Sequence, residues 1–189
     1  MNKPSIILAS GSPRRKELLA AAGFDFEIIT SSVDEHYDAS LPPIEVAPFL
    51  ANLKAAAVAS ELRSTEVIVI GADTIVVLDD QIFGKPTSKG DAHQMLTQLS
   101  GRTHQVMTGV SVIAPSKTFS FVEVTDVVFK QLADEEIWAY IETGEPMDKA
   151  GSYGIQGKGS ALVDHIEGDY DNVVGLPIKR LSALLKGLL

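Results

Sequence analysis

Four cations, two carboxylates and a few hydroxyl and amide groups stand where packing alone does not call for them. The cations are Arg14, Arg15, Lys54 and Lys85, the carboxylates Glu35 and Asp73, and the polar groups Ser10, Ser12 and Gln156. A set rich in Arg and Lys with a pair of acids suits phosphoryl or pyrophosphoryl chemistry. The cations neutralise charge developing on phosphate oxygens, while the acids hold a divalent metal and orient or deprotonate a water. Other chemistries find less support. No Ser–His–Asp arrangement can be assembled, and His36, His93, His104 and His165 lack metal-ligand spacing, so each reads as a surface or core residue. The chain has no cysteine, which removes thiolate nucleophiles, disulfides and zinc–thiolate sites. No GxxxxGK[ST] loop occurs. The residues taken by themselves point to a hydrolase of phosphate esters or anhydrides.

These positions are densest in ILASGSPRRKELL, from Ile7 to Leu19. An apolar strand signal over Ile6–Ala9 runs into Ser10-Gly11-Ser12. Ser12 is expected to cap a helix and Pro13 to take its first position, with Leu18, Leu19 and Ala22 along one side. Arg14 and Arg15 then fall in the first turn, where the helix already carries partial positive charge. A local rule broken in this way is expected at functional sites. Backbone N–H groups, two hydroxyls and two guanidiniums converging there would bind a phosphate chain. The alternative is a surface turn with two solvated arginines.

The other elements must bring the remaining groups toward that turn. Phe26–Ile29 is a short strand signal, and the polar stretch Thr30–Ser40 carries Asp34 and Glu35. After Leu41-Pro42-Pro43 a helix is expected from about Ile44 to Leu62, with Val46, Phe49, Leu50, Leu53 and Ala57 facing the core. Lys54 breaks a second stripe of small residues, Ala47, Ala51, Ala55 and Val58; it either snorkels to water or turns into a cleft. The apolar run Val67–Ile70 predicts a strand covered on both faces. It delivers Asp73 just past its end, where open α/β sheets collect ligand groups. A strand pattern resumes over Ile75–Leu78, Asp79-Asp80 reads as a tight turn into Gln81–Phe83, and Lys85 is held between Gly84 and Pro86. A helix over Ser88–Leu99 should bury Met95, Leu96 and Leu99. Two strands, Val106–Ala114 and Phe119–Phe129, break at Pro115-Ser116-Lys117 as a hairpin would. A helix over Ala133–Thr143 should pack Ile137, Trp138 and Ile141. The glycine-rich stretch Glu145–Gly159 contains Gln156 and is long for a structureless loop, so it is expected to line a site. A strand over Ala161–Ile166 and a last helix over Pro177–Leu188 complete an α/β fold with a mixed sheet.

The 189 residues suit one domain spanning 1–189, with a sizeable core. A net charge of −9 argues against a nucleic-acid polymer as partner. It does not argue against a small phosphorylated ligand, since a divalent cation can bridge acids to phosphate. No apolar run reaches the length of a membrane span, and the run near the start is too short for a signal peptide. A cytoplasmic protein with no membrane partner is therefore expected.

The ordered set ILASGSPRRKELL, Val33-Asp34-Glu35, the lysine of LANLKAAAVA, VIGADTIV, FGKP, LSGRTHQVMTGV, EPMDKAGSYGIQGKG and VVGLP resembles the Maf family of nucleotide pyrophosphatases over nearly the whole chain. The resemblance implies hydrolysis of a nucleoside triphosphate to the monophosphate and pyrophosphate, a house-cleaning role. It implies a fold related to inosine triphosphate pyrophosphatase: an elongated mixed sheet flanked by helices, with two lobes and a central cleft. Asp73 matches the family's general base, and Glu35 with Asp73 the acids that hold Mg²⁺ or Mn²⁺. Lys54 and Lys85 match its catalytic lysines, and Ser10, Arg14 and Arg15 its phosphate-binding turn, to which Ser12 also belongs. Arg14, Thr74 and Gln156 match the dTTP/UTP branch rather than a sister branch acting on 7-methyl-GTP. A neutral glutamine amide suits the N3–H and carbonyl edge of thymine and uracil, whereas a carboxylate would suit a methylated, positively charged guanine. The resemblance also implies a homodimer. It leaves a second reading open, a nucleotide-binding regulator of cell division and septum formation.

Overall fold

The structure, a computed structural model, describes residues 4–62 and 66–189. In chain order the elements are β1 (Ser5–Leu8), α1 (Pro13–Ala21), β2 (Phe26–Ile28), α2 (Pro43–Glu61), β3 (Val67–Leu78), β4 (Gln81–Phe83), α3 (Lys89–Leu99), β5 (Thr103–Ala114), β6 (Lys117–Phe129), α4 (Asp134–Ile141), β7 (Val163–Glu167), α5 (Tyr170–Val174) and α6 (Ile178–Leu188). The described strands form a seven-stranded sheet in the order β2-β1-β3-β5-β6-β7, with β4 paired to β3. β1 runs parallel to both β2 and β3, while β3–β4 and β6–β7 are antiparallel. The expected mixed sheet is the one observed.

The chain divides into two compact units. One holds residues up to Asp73 together with Thr108–Glu123 and Gly175–Leu189; the other holds Thr74–Met107 and Val124–Val174.

Within the first unit, strand alternation decides which side chains meet which helices. Ile6 and Leu8 of β1, Ile68, Ile70 and Ala72 of β3, and Val110 and Val112 of β5 share one core cluster with Leu19 of α1 and Leu181 and Leu185 of α6. The alternate residues Ile7, Ala9 and Val69 pack against Ala55 and Val58 of α2. Each large aliphatic side chain so buried contributes about 1.5–3 kcal/mol relative to exposure. Gly71 and Asp73 continue the row of Val69 along β3, and so share its face.

The helix α2 overturns one expectation. Its buried residues are Val46, Ala47, Leu50, Ala51, Ala55 and Val58, so the small-residue stripe faces the sheet. Phe49, expected in the core, is 43% exposed, and Leu53 and Ala57 are only partly covered. The cause is a close approach. A Cβ on Gly71 would collide with the Ala51 carbonyl oxygen and lie 2.9 Å from the Ala55 Cβ. Only small residues on both sides allow that spacing. A second correction concerns β3, which runs unbroken through Gly71-Ala72-Asp73-Thr74. Asp73 therefore sits in mid-strand rather than past a strand end.

In the second unit, Asp79 and Asp80 have φ of 50° and 62° and form the two-residue turn joining β3 to β4, as hairpins of this length require. Ser88 caps α3 by accepting from Asp91 N–H. Leu96, Leu99, Ile137 and Ile141 are buried, while Met95 is only partly so. Trp138 is not a core residue: it is 37% exposed and stacks on His93 at 4.6 Å between ring centroids. The glycine-rich stretch folds into 3-10 turns at Glu145–Asp148, Ala150–Ser152 and Gly157–Leu162.

Candidate active site

The local sequence builds the first turn as read. Ser12 is the N-cap of α1, its hydroxyl accepting from Arg15 N–H at 3.5 Å, and Pro13 opens the helix. The parallel register sets Leu8 beside Ile70, so the segment leaving β1 passes alongside the middle of β3. Ser10, nearly buried, accepts from the Ser12 N–H at 3.3 Å and from Arg15 Nη1 at 3.2 Å. Arg15 Nε donates to the Gly175 carbonyl at 2.8 Å. Two directional bonds thus aim the guanidinium, which a solvated surface arginine would not have. Burial lowers the Arg15 pKa and Arg14 adds to this, while the Asp73 and Glu35 charges push it up. Arg14 is half-buried beside it.

A second cluster centres on Lys54. Its Nζ lies 2.6 Å from Asp73 Oδ1 and 3.1 Å from Glu35 Oε1. The close approach of α2 to Gly71 places Ala51 and Ala55 on the strand. Lys54, between them on the helix, then meets Asp73, two residues beyond Gly71 on the same strand face. Glu35 reaches the same ammonium from the irregular segment before α2 and is largely exposed, whereas Asp73 is 7% exposed. Burial pushes the Asp73 carboxyl above its ordinary value. Lys54, by charge and hydrogen bond, and then Arg15 pull it back, and Glu35 adds a smaller upward push. A carboxylate held out of water yet kept beside cations has the character of a general base.

Glu35 and Asp73 offer one cation a pair of hard oxygen donors from separate parts of the chain. That donor set fits Mg²⁺ or Mn²⁺, and Mg²⁺ is commonly held by one or two carboxylates plus phosphates and waters rather than by a full protein cage. Among the described residues no three His, Asp or Glu side chains form such a cage, so its other ligands would come from substrate and solvent.

The remaining sequence-derived candidates belong to the second unit. Thr74 follows Asp73 in β3 and is half-buried. Lys85 is exposed on the loop after β4, and the neighbouring Gly84 carbonyl accepts from Gly151 N–H at 3.0 Å. Gln156 is exposed and precedes the Gly157–Leu162 turn. The structure therefore gathers Ser10, Ser12 and Arg15 around one hydroxyl, and Glu35, Lys54 and Asp73 around one ammonium.

Two residues escaped the sequence reading. Tyr140 Oη donates to Glu145 Oε1 at 3.0 Å, and Glu145 also accepts from the backbone N–H groups of Lys158 and Gly159 at 3.1 and 3.0 Å. The one sequence signal was a lone acid opening a glycine-rich segment. His104 is a core residue. It is 2% exposed, within hydrogen-bond reach of Tyr153 Oη at 2.7 Å, and edge-on to Phe129 and Tyr153. Burial lowers its pKa to about 4.

Comparison with known proteins bears on the family and the fold. The family model described as Maf-like protein matches residues 5–188. A dTTP/UTP pyrophosphatase of Bacillus anthracis is 57% identical over 181 residues, covering 96% of this chain and 94% of the relative. A dTTP/UTP pyrophosphatase of Bacillus cereus is 56% identical over 185 residues, covering 98% and 90%. In fold, the chain is similar to the Ham1 protein of Staphylococcus aureus, with a TM-score of 0.56 at 18% identity over 97% of this chain and 98% of the other. It is likewise similar to a HAM1 protein of Coxiella burnetii, at 0.54 and 14% over 97% and 99%.

Proposed function

The chain belongs to the Maf family, and on that footing we propose that it hydrolyses dTTP and UTP to the nucleoside monophosphate and pyrophosphate, clearing the nucleotide pool. The observation that carries the chemistry is the buried Asp73 carboxyl paired with Lys54 at 2.6 Å. Ser10, Ser12, Arg14 and Arg15 bind the triphosphate. Lys54 engages Asp73 Oδ1, which leaves Oδ2 to accept a proton from the attacking water. The water oxygen bonds to the α-phosphorus as the bond to the bridging oxygen breaks, and the electron pair leaves with pyrophosphate. Lys54 and Lys85 offset the charge that gathers on the phosphates. A divalent cation held by Glu35 and Asp73 would supply further charge neutralisation and make a nearby water more acidic. Gln156 reads the pyrimidine edge, with Arg14 and Thr74 completing the selection of substrate class. The proposal extends to a cytoplasmic enzyme, where nucleoside triphosphates are made and used, and to a homodimer, which sedimentation would test. No described helix is long and apolar enough to cross a membrane.

The experiment is pyrophosphate release from a panel of nucleoside triphosphates, with and without Mg²⁺. Turnover of dTTP and UTP above the other triphosphates, lost on chelation, is expected. Binding without turnover would favour the regulator reading, and preference for 7-methyl-GTP would move the chain to the sister branch.

A further inference from the structure

Gln156 stands at the tip of a small loop whose base is closed by two side chains outside it. Before Gln156, the Gly154 N–H donates to Tyr140 Oη at 3.2 Å. After it, the N–H groups of Lys158 and Gly159 donate to the two oxygens of Glu145. Tyr140 and Glu145 are bonded to one another at 3.0 Å, so both ends of the loop are tied to one clasp. The two ends also touch. A Cβ on Gly159 would collide with the Gly154 carbonyl oxygen and lie 2.7 Å from Tyr140 Oη. Between them Ile155 is buried and Gln156 is exposed. Gly157, with φ of +72°, turns the chain so that successive N–H groups point at one place. Such a backbone concavity receives an anion, and here the protein's own carboxylate fills it. Glu145 is not part of a packed core: it is only half-buried, and both oxygens are spent on the backbone beside Gln156. Burial pushes its pKa up, but the bonds from Gly159, Lys158 and Tyr140 outweigh that, and the net shift is downward.

We infer that Glu145, with Tyr140, is a specificity-positioning residue that fixes the backbone presenting Gln156 to the nucleobase. The inference rests on the assignment of Gln156 as the base reader. Nothing in the phosphate chemistry uses Glu145, so its loss should alter which base is accepted more than how fast the anhydride is cleaved. Glu145→Gln tests this without changing size. An amide carries one acceptor oxygen, so at least one of the two backbone donors faces an N–H group and goes unpaired. A lost hydrogen bond to a charged acceptor of this kind is worth about tenfold in an equilibrium.

The experiment measures kcat and KM for dTTP and CTP in the native protein and in Glu145→Gln, Gln156→Ala and the double variant, with thermal melts alongside. The native protein is expected to prefer dTTP. Glu145→Gln should cut that preference about tenfold through KM, with kcat held within about twofold. In the Gln156→Ala background it should cut it no further, because the effect runs through Gln156. A preference retained in folded Glu145→Gln overturns the inference. So does an equal loss in both backgrounds, which would mean general loosening. If Glu145→Gln fails to fold, Tyr140→Phe decides, since it removes one of the three donors to the carboxylate and the acceptor of the Gly154 N–H, while leaving the Lys158 and Gly159 bonds to Glu145. It should lower the preference about threefold, and an unchanged preference overturns the inference. Absence of any dTTP preference in the native protein refutes the base-reading assignment itself, and the inference with it, before any variant is made.

Discussion

Replacing Lys54 with methionine keeps the stem and removes the ammonium that sits between Asp73 and Glu35. The side chains of Lys54 and Asp73 are only 15% and 10% exposed, so solvent screens their pairing weakly. Removing one partner of such a pair costs about 3 kcal/mol. Lys54 is the first of the influences that hold the Asp73 carboxyl down against burial. Its loss should therefore raise the Asp73 pKa further. A general base works only when ionised, so the acid limb of the kcat/KM profile for dTTP should move to higher pH. The plateau should fall as well, by about a hundredfold, if the ammonium also offsets charge on the phosphates. Pyrophosphate release measured across pH separates the two effects, because only the first moves the limb. Lys54→Arg restores the charge and should return the limb toward its native position. Stability should follow the same sign. Asp73 is disfavoured in its charged form on folding, so Lys54→Met should lower the melting temperature by about 6–12 °C at neutral pH, and by less in acid, where Asp73 is protonated. A limb that stays in place while only the plateau drops would refute the claim that Lys54 tunes Asp73.

Three further outcomes follow from the same geometry. Asp73→Asn should abolish pyrophosphate release, by about a thousandfold or more. It should not lower the melting temperature at neutral pH, since it removes a carboxyl whose ionisation opposes folding. Gln156→Glu should weaken dTTP and UTP use by about tenfold, because a carboxylate accepts but cannot donate to the pyrimidine edge; an unchanged substrate profile in the triphosphate panel would remove Gln156 as reader. His104 is neutral in the fold, with a pKa of about 4 against an ordinary 6.5. The unfolded chain therefore binds the extra proton first, and stability must fall as pH drops from about 6.5 toward about 4. His104→Phe should flatten that fall in denaturant titrations, while costing about 1–2 kcal/mol at neutral pH for the Tyr153 hydroxyl left without its ring partner.

Local rules carried the sequence reading furthest where the structure obeys them locally. Ser12 and Pro13 specify the start of α1 through a hydroxyl and a fixed φ, and Asp79-Asp80 specifies a two-residue turn because both residues tolerate positive φ. Each such signal involves neighbours in the chain. The buried face of α2 departs from its hydrophobic pattern for the opposite reason. Phe49 and Leu53 outrank alanine in hydrophobicity, yet the sheet approaches too closely to admit them, and that constraint is written in Gly71 rather than in the helix. The clasp on the Gln156 loop left almost no mark, because Glu145 spends its oxygens on backbone N–H groups that any residue type could supply.

The sequence pattern ends the strand before Asp73 because Gly71-Ala72 interrupts the run of β-branched residues, whereas the strand continues through it. The interruption has a packing cause, and the same cause positions the chemistry. Val69, Gly71 and Asp73 lie on one face of β3, while Ala51, Lys54, Ala55 and Val58 lie on one face of α2. Once Gly71 admits Ala51 and Ala55 to van der Waals contact, the two periods, two in the strand and 3.6 in the helix, leave the next strand position opposite the lysine. The 2.6 Å pair is thus a consequence of how closely two elements pack. A lysine one residue earlier or later on α2 would point about 100° away around the helix. The glycine, remote from the reacting groups in chemical type, is in this sense as much a determinant of the site as the carboxylate it precedes by two residues.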